Sequence, residues 1–305
     1  MLSRRTLTFE SPALAGEEWP CYEATGAADG PRLCVLGGVH GCEYSGIAAV
    51  SRFMRGLDTS MLSGTIVAVP IVSPAMFAGR AAFLSPADGK NPNRCFPGDP
   101  DGTYSDQLAH HVFTELIAPS DALVDVHGGD LVEALEPFTL FDASPVADRA
   151  EALARAYGLR YVIRGAEQRI EGTTSAAAAD AGIPGITPEA GGCGLMEEDA
   201  IRAHTDGLAN ALRQAGMLDG EPASRDDLRM VSRFIWLRAA EAGWWAADVA
   251  AGDEVGAGQR LGAMRDLAGE ELDVVTAPED GVVLFLTSSP AVADDGILLG
   301  LGAGY

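Results

Sequence analysis

His40-Gly41-Cys42-Glu43 and Asp125-Val126-His127-Gly128-Gly129 contain the residue types of a metal centre. Two imidazoles and a carboxylate make three ligands, and a catalytic zinc site uses three while leaving a fourth position for water. Each segment follows an apolar run, Leu33-Cys34-Val35-Leu36 in one case and Ala122-Leu123-Val124 in the other. A third such segment, Ile183-Pro184-Gly185-Ile186-Thr187, leads to Glu189, a carboxylate able to handle protons. A single histidine after a strand is usually packed or solvated. Two of only five histidines at glycine-flanked strand ends form a much less accidental pattern. His110, His111 and His204 are expected to be structural or surface residues. Asp125, two residues before His127, faces the same side of a strand. It is placed to accept a hydrogen bond from a ligating imidazole.

The elements that must position these residues follow from the apolar pattern. Runs at 33–36, 65–72, 122–126, 138–141 and 161–163 read as strands. Segments 45–56, 104–117, 145–157, 176–181 and 195–216 read as helices. This alternation predicts an α/β layer fold with a largely parallel sheet. Open sheets of that kind bind ligands at the carboxyl ends of their strands. Strands ending at His40, His127 and Glu189 would therefore place all of them on one edge. Residues 74–103 are rich in Pro, Gly, Asp and Asn and predict a long functional loop.

The pattern changes near Met217 to Arg225, where short apolar segments and closely spaced turns begin. This predicts a catalytic domain over 1–220 and a small all-β domain over 221–305. Segments 251–262 and 276–283 resemble a biotinyl/lipoyl-like module. Carriers of that type need a lysine to modify, and the chain's single lysine, Lys90, lies far upstream. A swinging-arm function is thereby excluded. Trp236, Trp244 and Trp245 are expected to be core and interface residues.

The formal net charge of −23 argues against nucleic acid as a partner. No apolar run reaches the roughly 18 residues of a membrane span. Met1 to Glu10 lacks the apolar stretch of a signal peptide, so a cytoplasmic location is expected. The five cysteines are odd in number and include no CxxC, and they read as free thiols. The oligomeric state is left open, a homo-oligomer included.

His-Gly-Cys-Glu, Asp-Val-His and Thr187-Pro188-Glu189-Ala190-Gly191-Gly192, in that order, resemble the succinylglutamate desuccinylase/aspartoacylase family. The resemblance spans roughly residues 30 to 305. It implies a zinc carboxypeptidase-like mixed sheet flanked by helices, with the smaller β domain at the active-site mouth. Asp88-Gly89-Lys90-Asn91-Pro92-Asn93-Arg94 resembles the family's substrate clamp. Its lead-in is nearest a bacterial branch similar to N-acetyl-diaminobutyrate deacetylases. The resemblance implies one zinc ion held by His40, Glu43 and His127, with Glu189 as general base and Arg80 polarising the scissile carbonyl. Asn93 and Arg94 would bind a substrate carboxylate, which a guanidinium can grip bidentately. The residues alone leave Glu43 and Glu189 interchangeable, and the resemblance assigns the short His-x-x-Glu pair to the metal. Pro92 departs from the pattern, which expects an apolar non-proline residue. The implied reaction is hydrolysis of the amide bond of a small N-acylated amino acid that carries a carboxylate. The alternatives are a metallocarboxypeptidase and a non-catalytic binding protein of the same fold.

Overall fold

The computed structural model describes residues 1–165 and 169–305. The chain opens with β1 (Leu2–Leu7), β2 (Trp19–Thr25) and β3 (Ala28–Gly37). Next come α1 (Tyr44–Gly56), β4 (Ser63–Val69), α2 (Pro74–Gly79) and α3 (Tyr104–His111). β5 (Ala122–Val126), β6 (Glu133–Leu135) and β7 (Phe138–Asp142) follow, then α4 (Ala147–Tyr157) and β8 (Tyr161–Gly165). α5 (Thr174–Asp180), β9 (Gly185–Glu189) and α6 (Glu198–Gln214) complete the helical part. The remainder is β structure: β10 (Arg229–Val231), β11 (Arg233–Arg238), β12 (Gly243–Ala247), β13 (Glu254–Val255) and β14 (Arg260–Arg265). It ends with β15 (Glu271–Thr276), β16 (Gly281–Thr287), β17 (Ala291–Val292) and β18 (Ile297–Ala303).

Nine strands form one sheet in the order β1-β2-β4-β3-β5-β9-β7-β8-β10. β4, β3, β5 and β9 are parallel, as are β7, β8 and β10. β1 and β2 run antiparallel at one edge, and β7 is antiparallel to β9. The sheet is therefore mixed, as the family resemblance implied, with its central strands parallel as the alternation suggested. The edge strand β1 carries Ser3, Arg4 and Arg5 in the open and gives no apolar period to read. In β3, Leu33 and Val35 pack on the side of α1, α4 and α6, while Cys34 and Leu36 pack on the side of α3 and α5. Burial on both faces explains why that strand reads as an unbroken apolar run.

The C-terminal part builds two antiparallel sheets. Two strands cross between the regions. β10 pairs with β8 in the large sheet, and β6 pairs with β16, with Ala134 opposite Leu286. Each region thus contributes one strand to a sheet of the other. The predicted helix at 104–117 is α-helical to His111 and continues as a wider π turn over Val112–Ile117. The long loop holds α2 and a short 3-10 turn at Pro92–Arg94.

Candidate metal centre

β3, β5 and β9 are parallel neighbours, so their carboxyl ends meet on one edge as expected. Gly37 lies opposite Val126 in the register, and His127 bridges to Glu189. After β3 the chain turns tightly through His40 and Gly41 into α1, with Glu43 as the N-cap of that helix. Gly41 is required there. A Cβ on it would lie 2.2 Å from the backbone nitrogen of Phe77 in α2.

The turn brings three side chains together. His40 Nδ1 lies 2.7 Å from Glu43 Oε1, and His127 Nδ1 lies 2.9 Å from Glu43 Oε2. The potential ligand atoms of His40, Glu43 and His127 all fall within 4.8 Å of one another. All three residues are buried. Glu43 Oε2 has no hydrogen-bond partner despite its closeness to His127. A buried carboxylate oxygen without a partner is costly. Two imidazole nitrogens and that oxygen, aimed at a common point, are the donor set a divalent transition metal satisfies. The residues present therefore fit a metal ion.

Both imidazoles are held from behind. His127 Nε2 is 2.8 Å from Asp125 Oδ2, and Asp125 also accepts from the Thr174 hydroxyl at the start of α5. The position expected for Asp125 is the one observed. His40 Nε2 is 3.0 Å from Asn91 Oδ1, a contact that sequence reasoning missed. The same Asn91 oxygen accepts from the backbone N–H of Asn93 at 2.8 Å. Asn91 thus couples a candidate metal ligand, His40, to the segment that carries Asn93 and Arg94. Groups that orient a ligating histidine typically tune metal affinity by about 10–100-fold. Asn91→Ala is expected to weaken zinc affinity within that range, measured by competition with a chelator. Unchanged affinity would remove this role from Asn91.

The rest of the Asp-Gly-Lys-Asn lead-in fastens the loop to α3. Asp88 accepts from the Ser105 N–H at 2.8 Å and from the Thr103 hydroxyl at 2.7 Å, and Lys90 pairs with Asp106. Pro92 occupies the first position of the 3-10 turn, where its fixed φ suits the conformation and its missing N–H costs nothing. It preorganises the turn that carries Asn93.

A cavity of about 350 Å³ lies against this centre. His40, Glu43, His127, Glu189, Asn93 and Arg94 line it, so six of the seven expected site residues share one space. Asn93 accepts from the Thr174 N–H at 3.0 Å, which commits its carbonyl oxygen to the fold. Arg94 donates from Nη1 to the Asn93 carbonyl oxygen at 2.6 Å and has no carboxylate partner among the described residues. Arg80 is not among the cavity-lining residues. It ends α2 in a left-handed conformation, φ 51°, with its side chain exposed. Phe83 lines that side instead, its ring 5.3 Å from His40. Trp236 of β11 packs against Phe234 and Phe285, with ring centroids 4.6 and 5.2 Å away, in line with the expected packing, and also lines the cavity. Trp245 is a core residue and Trp244 is exposed. His204 is buried and bonded to the Tyr157 hydroxyl, a structural role as expected.

The electrostatics distinguish the two glutamates. Burial by itself would raise Glu43, but the adjacent His127 and His40 overcome it and hold the carboxyl at about 2. Burial pushes Glu189 well above the usual carboxylate range, and Glu43, Glu133 and Asp125 add to the push while His127 opposes it. Glu43 is the permanently charged partner of the imidazoles. Glu189 is the carboxyl whose neutral form burial favours, so the two glutamates sit in opposite electrostatic surroundings.

Residues 29–215 match the family model described as the succinylglutamate desuccinylase/aspartoacylase catalytic domain. The chain is 32% identical over 268 residues to an N-alpha-acetyl-L-2,4-diaminobutyric acid deacetylase of Halomonas elongata, covering 84% of this chain and 77% of that protein. Its fold is similar to the crystal structure of a succinylglutamate desuccinylase/aspartoacylase from Rhodobacter sphaeroides, with TM-score 0.86 and 26% identity over 100% of this chain and 94% of the other. It is also similar to the product-bound ectoine utilization protein EutE (DoeB) of Ruegeria pomeroyi, with TM-score 0.88 and 22% identity over 99% and 94% of the two chains. With the motifs in order, the ligand set assembled and the model matched over most of the large sheet, this chain belongs to the succinylglutamate desuccinylase/aspartoacylase family.

Proposed function

We propose that the protein is a zinc-dependent deacylase that hydrolyses the amide bond of a small N-acylated amino acid. The observation that carries this reading is the convergence of His40, Glu43 and His127 beside Glu189, on a cavity that also holds Asn93 and Arg94. His40, Glu43 and His127 would hold the zinc, which supplies Lewis acidity and lowers the pKa of a water to roughly 7. Glu189 takes a proton from the attacking water. The water oxygen bonds to the acyl carbon and the C–N bond breaks. Glu189 returns the proton to the leaving nitrogen, giving a carboxylic acid and a free amine. Asn93 and Arg94 hold the substrate carboxylate and so fix the distance from that anchor to the scissile bond.

The relative from Halomonas is named for the deacetylation of N-alpha-acetyl-L-2,4-diaminobutyric acid, which supports the same class of substrate here. The test is a panel of N-acyl amino acids and C-terminal peptides offered to the zinc-loaded protein, with release of free amine as the readout. Turnover of N-acyl amino acids alone supports the deacylase. Turnover of peptides alone would make the protein a carboxypeptidase, and turnover of neither would leave it a binding protein.

Arg94 gives a separate prediction. Arg94→Ala should raise KM for a carboxylate-bearing substrate by roughly 10–100-fold, the loss of a charge-assisted hydrogen bond. A substrate with that carboxylate converted to a carboxamide should be nearly indifferent to the change. Steady-state kinetics on the pair checks it, and equal losses on both substrates would contradict the anchor role.

A further inference from the structure

An apolar wall begins beside Glu189 and has no part in the proton transfers above. β7 runs antiparallel to β9, with Phe138 opposite Glu189 and Leu140 opposite Thr187. Residues directly opposite one another in such a pair project from the same face of the sheet. Phe138 and Leu140 therefore stand on the face of the proposed general base, and Ile163 of β8 lies opposite Leu140. The wall continues into the C-terminal region. The Phe138 ring is 5.8 Å from Phe234 of β11, Phe234 is 4.6 Å from Trp236, and Trp236 is 5.2 Å from Phe285 of β16. Phe285 in turn lies opposite Leu135 of β6. All seven residues line the cavity that holds the candidate metal centre.

Leu135, Leu140, Phe234 and Trp236 are only half-buried, so the wall is a surface and not closed core. The lining also includes Asp142, Arg164 and Arg233. Asp142 is hydrogen-bonded to Ser175, Arg233 pairs with Glu279, and both arginines are exposed to solvent. The ring contacts from Phe138 to Phe285 run on with no charged residue between them. The cavity volume of about 350 Å³ falls in the range of pockets that enclose most of a small organic ligand, roughly 300–1,000 Å³. A substrate with only short groups on both sides of its amide would leave this wall wet. A large apolar group displaces that water and gains by it.

We propose that the wall receives a large apolar group of the substrate, an aromatic ring or a long aliphatic chain. The substrate class is then N-acyl amino acids that carry such a group, either as the amino-acid side chain or as the acyl chain. This inference rests on the deacylase reading. It gives Trp236 and Leu140 a role in substrate choice and leaves the chemistry to the centre described above. The competing role of the wall is only to hold the two regions of the chain together.

The experiment offers three substrates to the full zinc-loaded chain: N-acetylalanine, N-acetylphenylalanine and N-(phenylacetyl)alanine. Wild type is expected to favour one of the ring-bearing substrates over N-acetylalanine in kcat/KM by at least roughly 10-fold, the lower end of what one methylene commands in a hydrophobic pocket. The favoured one shows which half of the substrate meets the wall. Trp236→Ala removes the largest ring, and Leu140→Asn keeps much of the side chain's shape while placing an amide beside Phe138. Each should bring the ratio toward one. A wild-type ratio near one overturns the proposal, and so does a ratio that neither variant moves, which is the result of a purely structural wall. Calorimetric binding of the same three compounds keeps the failures distinct. If none is hydrolysed, tighter binding of a ring-bearing compound that Trp236→Ala abolishes still supports the apolar subsite, and only the deacylase reading falls. Equal binding of all three overturns the subsite itself.

Discussion

Glu189→Gln is expected to bind as much zinc as the wild type and to turn over about 10²–10⁴-fold more slowly, the usual contribution of a positioned general base. The substitution keeps the shape of the side chain and removes only its capacity to take a proton. Glu189 lies outside the His40, Glu43 and His127 ligand cluster, so metal content should not follow activity. Elemental analysis beside steady-state turnover checks both halves. The raised position of Glu189 adds a pH signature. A base works in its ionised form, so activity should climb as pH rises through the Glu189 pKa, and that limb should vanish in the Gln variant. A zinc-loaded Glu189→Gln protein with near-normal turnover would disprove the assignment.

His127→Ala should act in the opposite pattern, losing zinc first and activity as a consequence. It removes one of the three proposed ligands and also the group that does most to hold Glu43 charged. Breaking a buried ion pair by removing one partner typically costs about 3–5 kcal/mol, and the retained His40, 2.7 Å from Glu43, keeps the expected loss at the lower end of that range. Denaturant unfolding with chelator present in both samples should show a loss of that order. The pH sign follows from Glu43, which is held at about 2 against an ordinary 4.5. Its stabilising contribution in the metal-free wild type is present above about pH 4.5 and is lost as pH falls toward 2. Without His127 that protection weakens, and acid unfolding should begin at higher pH. Wild-type zinc content in His127→Ala would contradict ligation, and an unchanged unfolding curve would contradict the electrostatic argument.

Much of this centre was readable before any coordinates, for a local reason. His40, His127 and Glu189 each follow a buried strand, and adjacent parallel strands place their carboxyl ends side by side. Asp125 was readable because strand geometry fixes the side it faces. Asn91 was missed although it sits inside a motif. Its contact with His40 spans a loop whose path is set by Asp88, Lys90 and α3, and no periodicity encodes such a path. Arg80 shows the same limit in reverse. Its assignment to the carbonyl came from the family resemblance alone, and α2 ends on it in a left-handed turn with the residue exposed and outside the cavity lining.

The sequence by itself determined the residue types of the candidate ligand set, their order, the strand ends that carry them and the β character of the last third of the chain. These depend on residue identity and on short-range spacing. Only the tertiary structure decided which side chains share the cavity. β10 joins the large sheet and β6 joins a sheet of the C-terminal region, and Trp236 and Glu133 come to line the same cavity as His40, Glu43 and His127. Strand pairing at long separation leaves no mark on local pattern, because each partner only has to be apolar and extended. The pairing of β6 with β16 is what leaves Glu133 buried on the same cavity as Arg94 and the candidate metal centre.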